Sequence, residues 1–366
     1  GYTGGTSLEG GTLVVGNNAA LGSGGLTTAA GTTLDSNTAV TLGNNTVLNG
    51  ALAIGGSSAL TLDGVLSGVG SLTKNGSANL TLNGANTYRG GTVLAGGGLT
   101  LGNNGALSGG DLSVTGNARL DSSSALQLAN NIGLGAQLTL VGTQNTSLSG
   151  AISGTGSLVK NGSGALVLSG ANSYGGGTVI NGGSVSGDTA SLQGAIVNNA
   201  VLTFEQNANG SYTGNLTGSG SLTKNGSGQL LLSGNNGITG NTQVNAGSLI
   251  NNGTLASANV QVASGASLGG SGTYTGTVSF ANGASLNAGG SGTPLSVGNL
   301  NLSSGSVLNF ALGAPGSSAA VVKVAGNLVL DGTLNLSDAG GFGLGVYQLF
   351  SYGGSCLLYT SPSPRD

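Results

Sequence analysis

The residues best placed to do chemistry are three lysines that recur in one tripeptide: Lys74-Asn75-Gly76, Lys160-Asn161-Gly162 and Lys224-Asn225-Gly226. An ammonium held there could meet an anionic ligand, and Tyr88 and Tyr174, also recurrent, could stack on a sugar. Nine carboxylates, Glu9, Asp35, Asp63, Asp111, Asp121, Asp188, Glu205, Asp331 and Asp338, raise glycoside hydrolysis, which in its retaining form needs two of them about 5 Å apart. The chain has no His, so the usual general base and the commonest metal ligand are missing. Cys356 is the single cysteine, which excludes an intramolecular disulfide and a thiolate zinc site.

The setting of these residues is unusual. Glycine makes up 77 of 366 residues, and only 5 % of the chain is charged, with seven Lys and Arg against ten Asp and Glu. No basic face is available for phosphate contacts, so a nucleic-acid partner is excluded. With 37 % hydrophobic residues and a mean hydropathy of +0.23, the chain has enough apolar surface to build a core.

Self-comparison supplies the organising fact. The segment GSLTKNGSANLTLNGANTYRGGTVLAGG from Gly70 recurs as GSLVKNGSGALVLSGANSYGGGTVINGG from Gly156 and, more loosely, as GSLTKNGSGQLLLSGNNGITGNTQVNAG from Gly220. Tyr2, Tyr88 and Tyr174 fall at one spacing of 86, whereas Lys160 and Lys224 are 64 apart. A coil of about 21.5 residues makes the first spacing four turns and the second close to three, so the short unit has lost one whole turn of a solenoid. Spacings such as Leu72, Val93 and Val114 support that length.

Within each coil the segments LTLNG, GTVLA, LTLGN and DLSVTG alternate apolar with small polar residues, the period of a strand buried on one face. Gly and Asn-Gly punctuate them as corners. The expected fold is therefore all-β: a right-handed parallel β-helix (β-solenoid) with coils of about 21–22 residues. The paired asparagines Asn17-Asn18, Asn44-Asn45, Asn103-Asn104 and Asn130-Asn131 suit corners where stacked amides satisfy one another.

That geometry bears on the candidate chemistry. Lys74 and Lys160 fall about 19 Å apart along the axis at ~4.8 Å per coil, too far to converge on one small ligand. Their expected role is structural or in export, and each tyrosine is expected to cover a corner. No two of the nine carboxylates differ by one coil. Arg89 and Asp111 differ by 22, which predicts an exposed ion pair worth ~0–1 kcal/mol. Gly109-Gly110-Asp111 lacks the nine-residue recurrence of calcium-binding repeats. Threonines around Thr32-Thr33 and from Thr38 to Thr46 suggest an ice-binding array, but no Thr-x-Thr recurs at every coil. The expectation is that the chain is not an enzyme and carries no catalytic, cofactor-binding or metal-binding residue.

The motif G-x-G-S-L-x-K-x-G-x-G-x-L-x-L-x-G-x-N-x-Y-x-G-G-T-x-V, carried by Gly70 to Val93 and Gly156 to Val179, resembles the autotransporter-associated β-strand repeat, also called the passenger-associated transport repeat. The copy at Gly220 departs from it, with Ile238 at the tyrosine position and Asn241 for the second motif glycine. NLVLDGTLNLSDAGGFGLGVYQLFSYGG, from Asn327 to Gly354, is similar to the last coils of an autotransporter passenger.

The resemblance implies a structural or adhesive passenger delivered by type V secretion, its repeats assisting export and folding. It places the protein on the surface or outer membrane of a Gram-negative bacterium, or secreted. The implied partner is the chain's own C-terminal β-barrel translocator, with a monomeric rod and a cell-surface ligand of unknown kind. The alternatives are the stem of an enzyme or toxin whose active domain lies upstream, and a filamentous haemagglutinin-like adhesin.

The expected divisions are 1–294, passenger repeats; 295–355, terminal coils before a translocator; and 356–366, foreign sequence. The last, CLLYTSPSPRD, resembles the translation of one frame of a transposase-type sequencing adapter and holds the only Cys and two of the four Pro. Without Met, a leader or an apolar run long enough to span a bilayer, the chain is read as a fragment.

Overall fold

The structure, a computed structural model, describes residues 2–290, 292–316 and 320–358. Residues 359–366 of the anticipated foreign tail lie outside that range. Two compact units are present, Gly1–Val185 with Ala190–Gly194, and Ser186–Thr189 with Ala195–Asp366. Every regular element among the described residues is a β-strand, most of them short, and every pairing is parallel. The expected parallel β-solenoid is what forms.

The first unit winds around three faces. One face begins with Thr6–Leu8, Leu26–Thr28, Thr46–Leu48 and Leu66–Gly68. After two coils carried by 86–88 and 106–108 it resumes with Leu126–Leu128, Thr146–Leu148 and Ala165–Leu168. The next face runs from Thr12–Val15 through Leu72–Lys74 and Thr92–Leu94 to Ile152–Ser153. The third runs from Val40–Leu42 through Asn79–Leu82 and Gly97–Leu101 to Leu158–Lys160 and Thr178–Ile180.

The registers correct the expected coil length downwards, to the separation of 20 that joins Asp63 to Asn83 and Leu66 to Asn86 across one rung. Thr6 stacks on Leu26, Leu26 on Thr46, Leu52 on Leu72, Leu72 on Thr92 and Thr92 on Leu112. Inward and outward positions alternate along a strand, so a spacing longer by one exchanges core for surface. Val93 pairs with Thr73 and points outward, while Leu94, stacked on Lys74, is the core residue. Leu34, Leu52, Leu72, Leu80, Leu94 and Leu99 are completely buried, forming the continuous interior that no single coil could build.

The second unit follows the same plan with less regular coils. Its seven-stranded sheet runs from Gly210–Tyr212 to Thr333–Asp338. Gly210 stacks on Leu230, Leu268 on Leu286, Leu286 on Leu308 and Leu308 on Leu334, so the rung first shortens slightly and then lengthens towards the end of this sheet. The side-chain bonds follow it, spanning 22 from Asn287 to Asn309 and 26 from Asn309 to Asn335. A solenoid tolerates such lengthening because extra residues leave the coil as loops between strands whose stacking is unchanged. Cys356–Leu358 pairs with Leu328–Leu330, as an open strand edge recruits a short apolar segment.

Candidate functional site

The shorter coil changes what the spacing of 86 means. From Lys74 the stack climbs through Leu94, Val114 and Leu134, and the following coil brings Ile152–Ser153 onto the same face. Lys160 lies a further strand along, on the face where it stacks over Leu140 and Leu120. One repeat is therefore four coils plus one face, not four coils. Each motif copy in this unit begins one face further round than the copy before it, and Lys74 and Lys160 point in different directions from the axis.

The lysines are not surface groups. Lys74, Lys160 and Lys224 are 0 %, 3 % and 0 % exposed. Each ammonium is satisfied by backbone carbonyls. Lys224 Nζ donates to the carbonyls of Asn225, Gly226 and Ala246 at 2.7, 2.8 and 3.1 Å. Lys74 Nζ donates to Asn75 and to Gly76, the latter at 3.0 Å, and Lys160 Nζ donates to Gly162 and, at 3.5 Å, to Gly182. Burial lowers all three ammonium pKa values, opposed by the charge of Asp35 at Lys74 and of Glu205 at Lys224. The aliphatic stem fills the core while the head holds the corner that carries Asn-Gly, and at Lys160 and Lys224 it also reaches the next coil.

The tyrosines also lie inside, which overturns the expectation that they cover corners. Tyr88 and Tyr174 are 0 % and 1 % exposed, and each hydroxyl meets the threonine four residues on, Thr92 at 2.5 Å and Thr178 at 2.8 Å. Burial pushes the Tyr88 phenol up to about 12 against the pull of its Thr92 bond, and raises Tyr174 likewise. In the looser copy Ile238 is fully buried in place of tyrosine, and Thr242 turns to Ser257 Oγ at 2.6 Å. A buried hydroxyl keeps a partner even where the motif is lost.

Sequence reasoning misses the motif asparagine, which stitches three coils together. Asn86 Oδ1 accepts from Leu66 N at 2.8 Å, one coil away, and its Nδ2 donates to Ala106 O at 2.7 Å, one coil the other way. Asn172 repeats this with Ile152 N at 2.8 Å and Ser191 O at 2.7 Å. The signal that could have found it is its fixed place two positions before each tyrosine. The motif glycine at the preceding corner is required by close approach: a Cβ on Gly156 would lie 2.1 Å from Ala136 O.

The acids face amides. Asp63 Oδ1 accepts from Asn83 at 2.7 Å, Asp111 Oδ1 from Asn131 at 3.3 Å and Glu205 Oε1 from Asn225 at 2.9 Å, each partner one coil away. The anticipated Arg89–Asp111 ion pair does not form among the described residues, since their separation overshoots the rung. Burial works against the Asp35 carboxylate, but hydrogen bonds from Ser57, Ser36 and Gly56 outweigh it and hold its pKa low.

The paired asparagines stack by coil as expected, though mostly onto backbone. Asn44 Nδ2 donates to Gly22 O and Gly24 O, and Asn130 Nδ2 to Ser108 O and Gly110 O. Amide-on-amide ladders occur elsewhere, at Asn287–Asn309–Asn335. Thr41, Thr61, Thr81 and Thr100 form one outward column, which ends at Asp121. Among the described residues no group of three or more Asp, Glu or Cys is placed to hold a metal ion.

Four stretches, residues 1–15, 72–101, 158–186 and 222–250, match the family model of the passenger-associated transport repeat. The chain is thus a parallel β-solenoid carrying four stretches similar to the passenger-associated transport repeat. A curated relative, the adhesin BmaC autotransporter of Brucella suis biovar 1 (strain 1330), is 33 % identical over 174 residues, covering 39 % of this chain. The chain's match spans 5 % of that relative's length. No solved structure matches the chain.

Proposed function

We propose that the chain is a structural, non-enzymatic segment of a surface-displayed adhesive passenger, and that its motif repeats act in folding and export rather than in ligand capture. One observation carries the reading: the motif's Lys, Asn and Tyr side chains are buried and hydrogen-bonded inside the solenoid, Asn86 and Asn172 each to the coils on both sides. Each copy is thus a clamp joining successive coils as they are added. The adhesin name of the relative supports an adhesive whole, with the outer membrane of a Gram-negative cell as its site and a C-terminal β-barrel as its export partner.

We further assign residues 295–355 to terminal coils that fold first outside the cell and template the rest. Support comes from their aromatic pairs, Phe310 with Phe350 at 5.4 Å between ring centres and Phe342 with Tyr347 at 5.2 Å. The test fuses the chain to an autotransporter barrel and follows surface display by protease accessibility and antibody labelling. Asn86→Ala combined with Asn172→Ala should slow appearance of the protease-resistant surface form. Truncation at Phe310 should do so more strongly. Unchanged display and refolding rates in both would defeat the reading.

A further inference from the structure

We propose that Asn75 is a site of spontaneous covalent self-modification, in which the neighbouring lysine promotes conversion of the asparagine to aspartate and isoaspartate. In the first step the Gly76 backbone nitrogen attacks Asn75 Cγ. The N–Cγ bond forms, the Cγ–Nδ2 bond breaks, and ammonia leaves with the proton given up by Gly76. The resulting succinimide is opened by water at either carbonyl, with no oxidant or reductant required.

Three features of the corner favour this step. Asn75 and Gly76 are both exposed, so water reaches the reacting atoms. The Asn75 side chain and the Gly76 N–H have no hydrogen-bond partner among the described residues, so nucleophile and electrophile are both free to move together. The third feature is electronic. Lys74 Nζ donates to the carbonyl oxygen of Asn75, the carbonyl of the very peptide whose nitrogen must attack. When that nitrogen loses its proton, the negative charge resides largely on this oxygen, where a buried ammonium already stands.

Each of the other motif copies lacks at least one of these features. Gly162 N donates to Leu140 O at 3.2 Å, and the Lys160 ammonium is bonded to the Gly162 and Gly182 carbonyls rather than to Asn161. At Asn225 the ammonium is on the right carbonyl, at 2.7 Å, but the side chain is clamped between Glu205 at 2.9 Å and Asn245 at 3.0 Å. Asn49, exposed and followed by Gly50, supplies the reference: the same dipeptide with no ammonium on its carbonyl. The product at Asn75 adds a carboxylate beside Lys74, and as isoaspartate also an extra backbone atom, at an outward corner.

The experiment ages the purified chain in mildly alkaline buffer and follows each Asn-Gly peptide by mass spectrometry. In the folded chain Asn75 should convert about tenfold faster than Asn49, the scale of one charge-assisted hydrogen bond. Asn161 and Asn225 should trail both. In concentrated urea, where the lysine contact is lost, the Asn75-to-Asn49 ratio should fall to near one. Lys74→Met, if circular dichroism shows it folded, should do the same without denaturant. Equal rates at Asn75 and Asn49 in the folded chain, or a ratio that urea leaves unchanged, would overturn the proposal, and neither measurement depends on a variant that folds.

Discussion

Tyr88 and Thr92 close a hydrogen bond of 2.5 Å in the interior of the first unit, four residues apart along the chain. The strand Thr92–Leu94 begins at this threonine, so the bond joins the turn into the strand to the strand itself. Tyr88→Phe should therefore lower stability by about 1–3 kcal/mol, because Thr92 Oγ1 is left buried without its partner. Adding Thr92→Val should recover most of the loss. Urea midpoints of the two variants check this, and a double variant no better than Tyr88→Phe would show that the hydroxyl pair contributes little.

Glycine at the corners is needed for different reasons at different places. Gly156→Ala puts a methyl group 2.1 Å from Ala136 O, so the expected loss is about 1–3 kcal/mol as the backbone shifts. Gly175, in the same motif copy, has open space where a Cβ would go, and Gly175→Ala should stay within about 0.5 kcal/mol of wild type. Similar midpoints for the two variants would contradict the close-approach argument.

The buried ionisable groups give stability an alkaline signature with two opposed parts. Each buried lysine has a folded pKa below its ordinary 10.5, so between the two values the unfolded chain binds more protons and stability rises with pH. The tyrosines act in the opposite sense. The stabilisation from holding Tyr88 neutral is complete below its ordinary 10.0 and disappears as pH climbs through about 12. Stability should thus climb and then fall across the alkaline range. Lys224→Met should flatten the climb, and Tyr88→Phe the fall, in chemical denaturation at a series of pH values.

A constant rung makes whole-coil deletion the tolerated kind. Removing Leu112–Asn131 brings Ile132 directly above Thr92 with the inward pattern intact, and the shortened chain should unfold cooperatively with an undiminished β signal. Removing Leu112–Asp121, half a coil, sets each later strand against the wrong face and should yield a chain sensitive to limited proteolysis. Equal resistance of the two deletions would be inconsistent with the observed registers.

Much of this architecture is legible in the residues. The alternation in Leu60-Thr61-Leu62 and Leu80-Thr81-Leu82 marks short strands buried on one side, and repeated Gly and Asn mark the corners between them. The coil length is misread when 86 is divided by a whole number. The three faces share one inward pattern, so a repeat can advance by a third of a turn without exposing its leucines, and nothing in the alternation reports which face a strand occupies. The tyrosines are misplaced, and the burial of the lysines goes unforeseen, for a related reason. Residues with polar tips are usually found outside, and only the folded chain supplies the Thr92 hydroxyl and the carbonyls of Asn75, Asn225 and Ala246 that let them lie inside.

The advance of each motif copy by one face means that no side of the first unit owns the motif. A flaw shared by every copy, such as a lost clamp, would be distributed around the circumference instead of opening a seam down one side. A fourth copy at the same spacing would begin on the face where the first one did.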